Sequence, residues 1–231
     1  MPATRNSRLT TDRNAEFAGI YRLPEVSRFL LAARMAHELY PIASRRLIRW
    51  IRRGLVDREL VGLSGWEILV TFEDLVSLRV IAALRAAGVS FPRIYAAEDY
   101  LRRATESPRP FATEVLWTDR SEVFASLKAH LVSASRAGQL AMDIMQAYLI
   151  PIHGLTFGKQ GMAVSWEPVD RVELTPSVQF GAPCIKGTRI PTRAIWNSRL
   201  GGDSVSHLSQ SYGLAEDDLA AAIQWEERLA A

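Results

Sequence analysis

The residues best equipped for chemistry in this chain are arginines. Arg45, Arg46, Arg49, Arg52 and Arg53 fall within nine positions of the segment 43–55, and no acid lies between Glu38 and Asp57. Set on an α-helix at about 100° per residue, the five guanidinium groups share an arc of about 120°, with Leu47, Ile48 and Ile51 on the opposite side. Ser44 can cap the start of such a helix, and Gly54 can end it in a left-handed turn. Guanidinium groups bond phosphate oxygens and guanine edges in pairs, and the major groove of DNA admits a single helix. The five arginines are therefore candidate DNA contacts. An ordinary solvated face is the competing reading, but such faces usually carry both signs of charge.

Other elements must hold this helix in place. Leu23-Pro24-Glu25-Val26 opens a helix ahead of it, with Val26, Phe29, Leu30 and Ala33 as the buried stripe. Pro41 separates the two helices. Glu59–Gly62 and Ile68–Thr71 flank a Gly62/Gly65 turn, which predicts a two-stranded hairpin. Phe72 to Ala87 predicts an amphipathic helix with Phe72, Leu75, Val76, Val80, Ala83, Leu84 and Ala87 on one side, stopped at Gly88. Phe91 to Thr105 predicts another, after which Ser107-Pro108-Arg109-Pro110 breaks the chain.

The order helix, turn, arginine helix, two-stranded wing, helix, helix resembles the MerR family over residues 20–106. The likeness rests on Gly54-Leu55-Val56 closing the arginine helix, on the wing feeding into Phe72-Glu73-Asp74-Leu75, and on Leu84-Arg85-Ala86-Ala87-Gly88-Val89-Ser90. The linker over residues 32–42 is longer than is usual in that family, which can reposition the reading helix. The resemblance implies a winged helix-turn-helix and a homodimer on palindromic double-stranded DNA.

At 231 residues the chain suits one large or two small domains, and a hydrophobic content of 48% supports a packed core. Its net charge of +3 is unevenly spread. Residues 1–58 hold twelve arginines against five acids, whereas residues 203–231 hold six acids and one arginine. A basic head and an acidic tail imply different partners at the two ends. Cys184 is the single cysteine, which precludes an internal disulfide and suits a reducing, cytoplasmic compartment. The polar start Met-Pro-Ala-Thr-Arg-Asn-Ser-Arg has no apolar signal-peptide core, and no run approaches a membrane span. Residues 1–16 are expected to form a flexible basic arm.

A second motif lies near the C-terminus: Phe180-Gly181-Ala182-Pro183-Cys184-Ile185-Lys186-Gly187-Thr188-Arg189-Ile190-Pro191. Pro183 and Pro191 bracket a stiff segment centred on Gly187, which reads as a tight structural turn in which Thr188 and Arg189 bond local carbonyls. The order Lys-Gly-Thr is not that of a phosphate-binding P-loop. Trp196 to Leu200, Val205 to Tyr212 and Glu216 to Arg228 predict three helices, with Ser204 capping the second. The whole of 171–229 resembles a small antitoxin domain catalogued as DUF433, with Gly181, Pro183, Lys186, Gly187, Thr188, Arg189 and Pro191 as its motif. Ala182 stands where a basic residue is common there, and Ala215 replaces a usual Ser/Thr cap, a loss of about 1 kcal/mol.

Between these parts, Thr113–Trp117 and Met162–Trp166 predict strands that can pair, with a helix at Gln139–Tyr148 between them. The expected plan is thus a basic arm (1–16), a MerR-like DNA-binding domain (17–110), a short α+β connector with a dimer contact (111–170) and a DUF433 domain (171–231). The expected fold class is mainly α, with a two-stranded wing and a small three-helix, helix-turn-helix-like C-terminal domain.

Together the two resemblances imply a type II antitoxin of the VapB kind. Such a protein neutralises a PIN-domain ribonuclease toxin and represses its own operon. Trp196, Tyr212 and Trp225 are candidate anchors for the toxin, and equally candidates for the core through helical spacing with Leu200, Leu219 and Ile223. A MerR-like regulator sensing a small molecule through its C-terminal half is the alternative. Enzymatic chemistry is not expected. His37, His130, His153 and His207 lack zinc spacing, no Gly-x-Ser-x-Gly elbow occurs, and Glu216-Asp217-Asp218 suits a helix start. No cofactor or metal is implied.

Overall fold

A computed structural model describes residues 19–34, 42–52, 68–114 and 154–231. The N-terminal part runs β1 (Ile20–Arg22), α1 (Leu23–Ala32), α2 (Ser44–Arg52), β2 (Leu69–Thr71), α3 (Phe72–Ala86) and α4 (Phe91–Thr105). A 3-10 turn at Pro110–Ala112 follows. The C-terminal part runs β3 (Leu155–Phe157), β4 (Ala163–Val169), β5 (Val172–Leu174), β6 (Cys184–Ile185), α5 (Thr192–Leu200), α6 (Val205–Tyr212) and α7 (Glu216–Ala230).

α3 is the central element. Thr71 Oγ1 accepts from Asp74 N at 3.3 Å and Asp74 Oδ2 accepts from Thr71 N at 3.0 Å, a reciprocal cap that starts the helix. Arg109 Nε adds a bond of 2.8 Å to Asp74 Oδ1, pinning the turn after α4 to the same helix end. The expected one-sided apolar stripe is too narrow. Leu78, Ile81 and Ala82 are buried as well, because α1, α4, the Pro110–Ala112 turn and β4 surround the helix. The enclosure is close enough that Asp74, Ser77 and Arg79 are buried as well.

Of the expected wing, only Ile68–Thr71 falls among the described residues. Among the described residues, β2 pairs antiparallel with β1, with Tyr21 opposite Val70. The expected partner Glu59–Gly62, the arm over 1–16, Arg53, Gly54 and the helix at Gln139–Tyr148 lie outside the described residues. Of the strand predicted from Thr113, that residue bridges Met162, and Glu114 N donates to the Gly161 carbonyl at 2.7 Å.

The small three-helix C-terminal domain is overturned. β3, β4, β5 and β6 form a four-stranded antiparallel sheet in that order, and two of those strands fall after residue 170. α5, α6 and α7 follow the sheet rather than making the domain alone. Strands of three and two residues are too short to show the alternation that marks a strand in sequence. Ile185, Ile195, Leu208, Leu219 and Ala222 form a small core beneath the three helices. Trp166, Val172, Leu174 and Trp225 join the larger core built on α1 and α3, so α7 ties the two together.

Candidate nucleic-acid interface

α2 begins at Ser44, with Ala43 in the capping place: the Ala43 carbonyl accepts from Arg46 N at 2.8 Å and Leu47 N at 3.2 Å. Ser44 is therefore inside the helix and not its cap. Leu47, Trp50 and Ile51 are fully buried, and Trp50 meets the Phe91 ring edge-on at 6.0 Å. Trp50 is the anchor that sequence reasoning missed: on the helical wheel it falls between Arg46 and Leu47, at the edge of the arginine arc. The Arg85 guanidinium lies 4.5 Å over the same Phe91 ring. Ser27 Oγ donates to the Ile42 carbonyl and fastens the start of α2 to α1.

With that side sunk in the core, Arg45, Arg49 and Arg52 face solvent and Arg46 is half-buried one turn before Trp50. Among the described residues, neither Arg45 nor Arg49 has an ion-pair partner. Both guanidinium groups keep their full donor capacity, which a phosphate backbone can take up.

The C-terminal motif is a turn that positions α5. Gly187 adopts φ +72, Thr188 Oγ1 donates to the Ile185 carbonyl at 2.8 Å and accepts from Ile190 N at 3.1 Å. Lys186 Nζ reaches Glu167 Oε2 on β4 at 2.6 Å, a contact that holds the Lys186 ammonium above the usual lysine range. Pro183 accepts at its carbonyl from Thr192 N at 2.9 Å, and Thr192 Oγ1 donates to the buried Glu226 Oε1 at 2.6 Å. These bonds lock the motif to α5 and α7. Gly181 lies against Tyr21, whose hydroxyl donates to the Gly181 carbonyl at 3.1 Å. Arg189 is exposed, with its carbonyl accepting from Gln179 Nε2 at 3.0 Å.

The three aromatic anchor candidates separate. Trp225 is wholly buried, its ring 6.2 Å from Phe29 on α1, so it belongs to the core and offers a partner nothing. Trp196 is half-buried and Tyr212 is 38% exposed. Leu200, expected to share a core stripe with Trp196, is 66% exposed; the buried stripe of α5 is Thr192 and Ile195. Phe180 is 80% exposed, held out by left-handed backbone at Gln179 and Phe180. Neither exposure is legible in the sequence, since the first depends on how α5 is rolled and the second on backbone signs that no residue type announces.

Cys184 is buried, its thiol donating to the Ala182 carbonyl at 3.4 Å, and burial pushes the thiol up to about 11. It is expected to resist a thiol reagent at pH 8 until the protein unfolds, because the thiolate is the reacting form. Rapid labelling of the folded chain would contradict this burial. Among the described residues, no group of three or more His, Cys, Asp or Glu is placed to hold a metal, and no helix is long and apolar enough to cross a membrane. A surface cleft of about 280 Å³ between Glu106, Ser107, Gln160 and Met162 falls just below the usual size of small-molecule sites.

Residues 172–225 match the family model described as a protein of unknown function, DUF433. No curated protein matches the chain. Among solved structures, the crystal structure of Rv2018 from Mycobacterium tuberculosis is similar, with a TM-score of 0.69 and 21% sequence identity. That match covers 88% of this chain and 96% of the other, and it is a likeness of fold.

Proposed function

We propose that this protein is a DNA-binding antitoxin of the VapB kind. It acts in the cytoplasm as a homodimer. Through α2 it binds the operator of its own operon and represses it; through its C-terminal part it holds and neutralises a PIN-domain ribonuclease toxin. The observation that carries the DNA half is the two-sidedness of α2: Leu47, Trp50 and Ile51 in the core, Arg45 and Arg49 outward without carboxylate partners among the described residues. A cationic face on a rigidly seated helix is the electrostatic footprint of a duplex reader. The toxin half is supported by the resemblance of residues 171–229 to an antitoxin domain.

Arg45→Ala and Arg49→Ala are each expected to weaken operator binding. Removing one arginine–phosphate bond lowers the slope of log K against log salt by about 0.9, so the double variant's slope should fall by about 2. Both side chains are exposed, so thermal melting should hardly move. Fluorescence anisotropy across a salt series reads the slope. Slopes equal to wild type in both variants would remove α2 as the DNA-binding element. For the toxin half, co-expression with a PIN-domain nuclease encoded beside this chain's gene should restore growth and give a purified complex. If neither rescue nor complex is obtained, the antitoxin reading falls.

A further inference from the structure

The acidic tail is the obvious surface to set against a ribonuclease, but three of its six acids already have partners within the chain. Arg171 Nη1 lies 2.6 Å from Asp218 and Nη2 lies 3.7 Å from Asp217, both at the start of α7. Glu226 is buried and held by Thr192 and Arg193. α5 has the opposite character. No acid occurs between Glu173 and Asp203, while Arg189, Arg193 and Arg199 in that stretch are all exposed. Arg189 has no ion pair among the described residues. Arg199 donates to the Asp203 carbonyl at 3.4 Å, and the Arg193 side chain stays 64% exposed despite Glu226.

On the helix itself, Arg193, Trp196, Asn197 and Leu200 follow the spacing i, i+3, i+4, i+7, so they share one face. Thr192 and Ile195 occupy the other and are buried, Ile195 in the small core. Leu200 at 66% exposure stands in the outward row, with half-buried Trp196 at its shoulder. An aromatic and an arginine beside an exposed aliphatic anchor is the composition of an interface centre rather than of a solvated helix.

Resting on the antitoxin reading above, we infer that the outward face of α5 is where the toxin docks, through an apolar groove on the toxin rimmed by carboxylates. Leu200 and Trp196 enter the groove; Arg193, and Arg189 just ahead of the helix, meet the rim. Charge complementarity therefore runs opposite to the tail: the chain supplies the positive side. An exposed leucine at the centre favours a protein over a polynucleotide, whose backbone gains nothing from it.

The test uses full-length chain with the PIN-domain nuclease encoded beside its gene, measured by calorimetry. Leu200→Glu is expected to weaken the complex by about 30-fold or more, as for an interface anchor. Arg189→Glu, which leaves the backbone bond to Gln179 available, should weaken it about 10-fold and slow association chiefly at low salt. Glu227→Arg, on the exposed side of α7, should bind as wild type. All three variants should keep operator binding. If Leu200→Glu and Arg189→Glu both stay within about threefold of wild type, or reduce DNA binding instead, the α5 face is overturned while the antitoxin reading stands. Absence of any complex with the wild-type chain would overturn both. Should Leu200→Glu fail to fold, Arg189→Glu decides alone.

Discussion

Replacing Trp225 by alanine is expected to remove about 3–5 kcal/mol of stability, a large share of the roughly 5–15 kcal/mol that holds a domain together. Trp225 is wholly buried on α7, faces Phe29 of α1 at 6.2 Å, and is the α7 residue that enters the core around α1 and α3. Deleting the indole leaves a void at that junction which neither side can close without unseating α1. Trp225→Phe should cost well under half as much. It keeps a ring in the site and removes an indole N–H that has no acceptor among the described residues, a group that costs about 1–3 kcal/mol when buried unpaired. Urea titration reads both losses as shifts in midpoint at constant slope. An alanine variant as stable as wild type would mean that α7 does not pack on α1. Because α1 carries α2, weaker operator binding by the alanine variant at temperatures near its midpoint should accompany the loss.

Local signals in the sequence carry the helices. Gly88 ends α3 with φ +80, and Ser204 caps α6 by accepting from His207 N at 3.1 Å. Ala215 precedes α7 without a side-chain cap, as its type dictates. The arginine arc on α2 is legible for the same reason: periodicity within one helix needs no knowledge of the rest of the chain. Pairings are not legible. β1 is three residues long and finds β2 almost fifty residues later, so spacing alone favours a nearer hairpin partner for Leu69–Thr71. The four-stranded sheet leaves no clear pattern because β5 and β6 are short; Lys186 N extends their pairing to the Arg171 carbonyl at 3.0 Å, while the Lys186 side chain reaches across to Glu167 on β4.

At the level of the candidate sites, the difference lies in what each residue packs against. Trp50 and Leu200 both sit on amphipathic helices, yet one is buried at the edge of an arginine arc and the other is exposed beside a tryptophan. A helical wheel gives the arc but not its orientation; neighbours from distant sequence decide that. For α5 the deciding neighbour is α7, which covers Thr192 and Ile195 and leaves Leu200 outside. The aromatic residues most eligible as interface anchors by type are thus divided by α7 into core and surface.

Gly181→Ala is expected to destabilise the protein by about 2–5 kcal/mol, through backbone strain and through the loss of a buried hydrogen bond. Gly181 has φ +83, which an alanine adopts only with strain. A Cβ there would stand 2.8 Å from Tyr21 Cζ and closer still to the hydroxyl, so the ring has to leave. Tyr21 cannot leave cheaply: it is 2% exposed and packs edge-on against Phe29 at 6.1 Å. Burial, with Glu25 and Glu73 adding to it, holds its phenol well above the ordinary tyrosine range, so the hydroxyl remains a donor to the Gly181 carbonyl. Tyr21→Phe removes the atom nearest the new methyl group and should make Gly181→Ala less damaging than it is in the wild-type background. The double-mutant cycle should show a coupling of about 0.5–3 kcal/mol, as for residues that touch. Strict additivity of the two losses would show that the glycine is required for its backbone alone, and that the seam between β1 and the C-terminal motif does not depend on Tyr21.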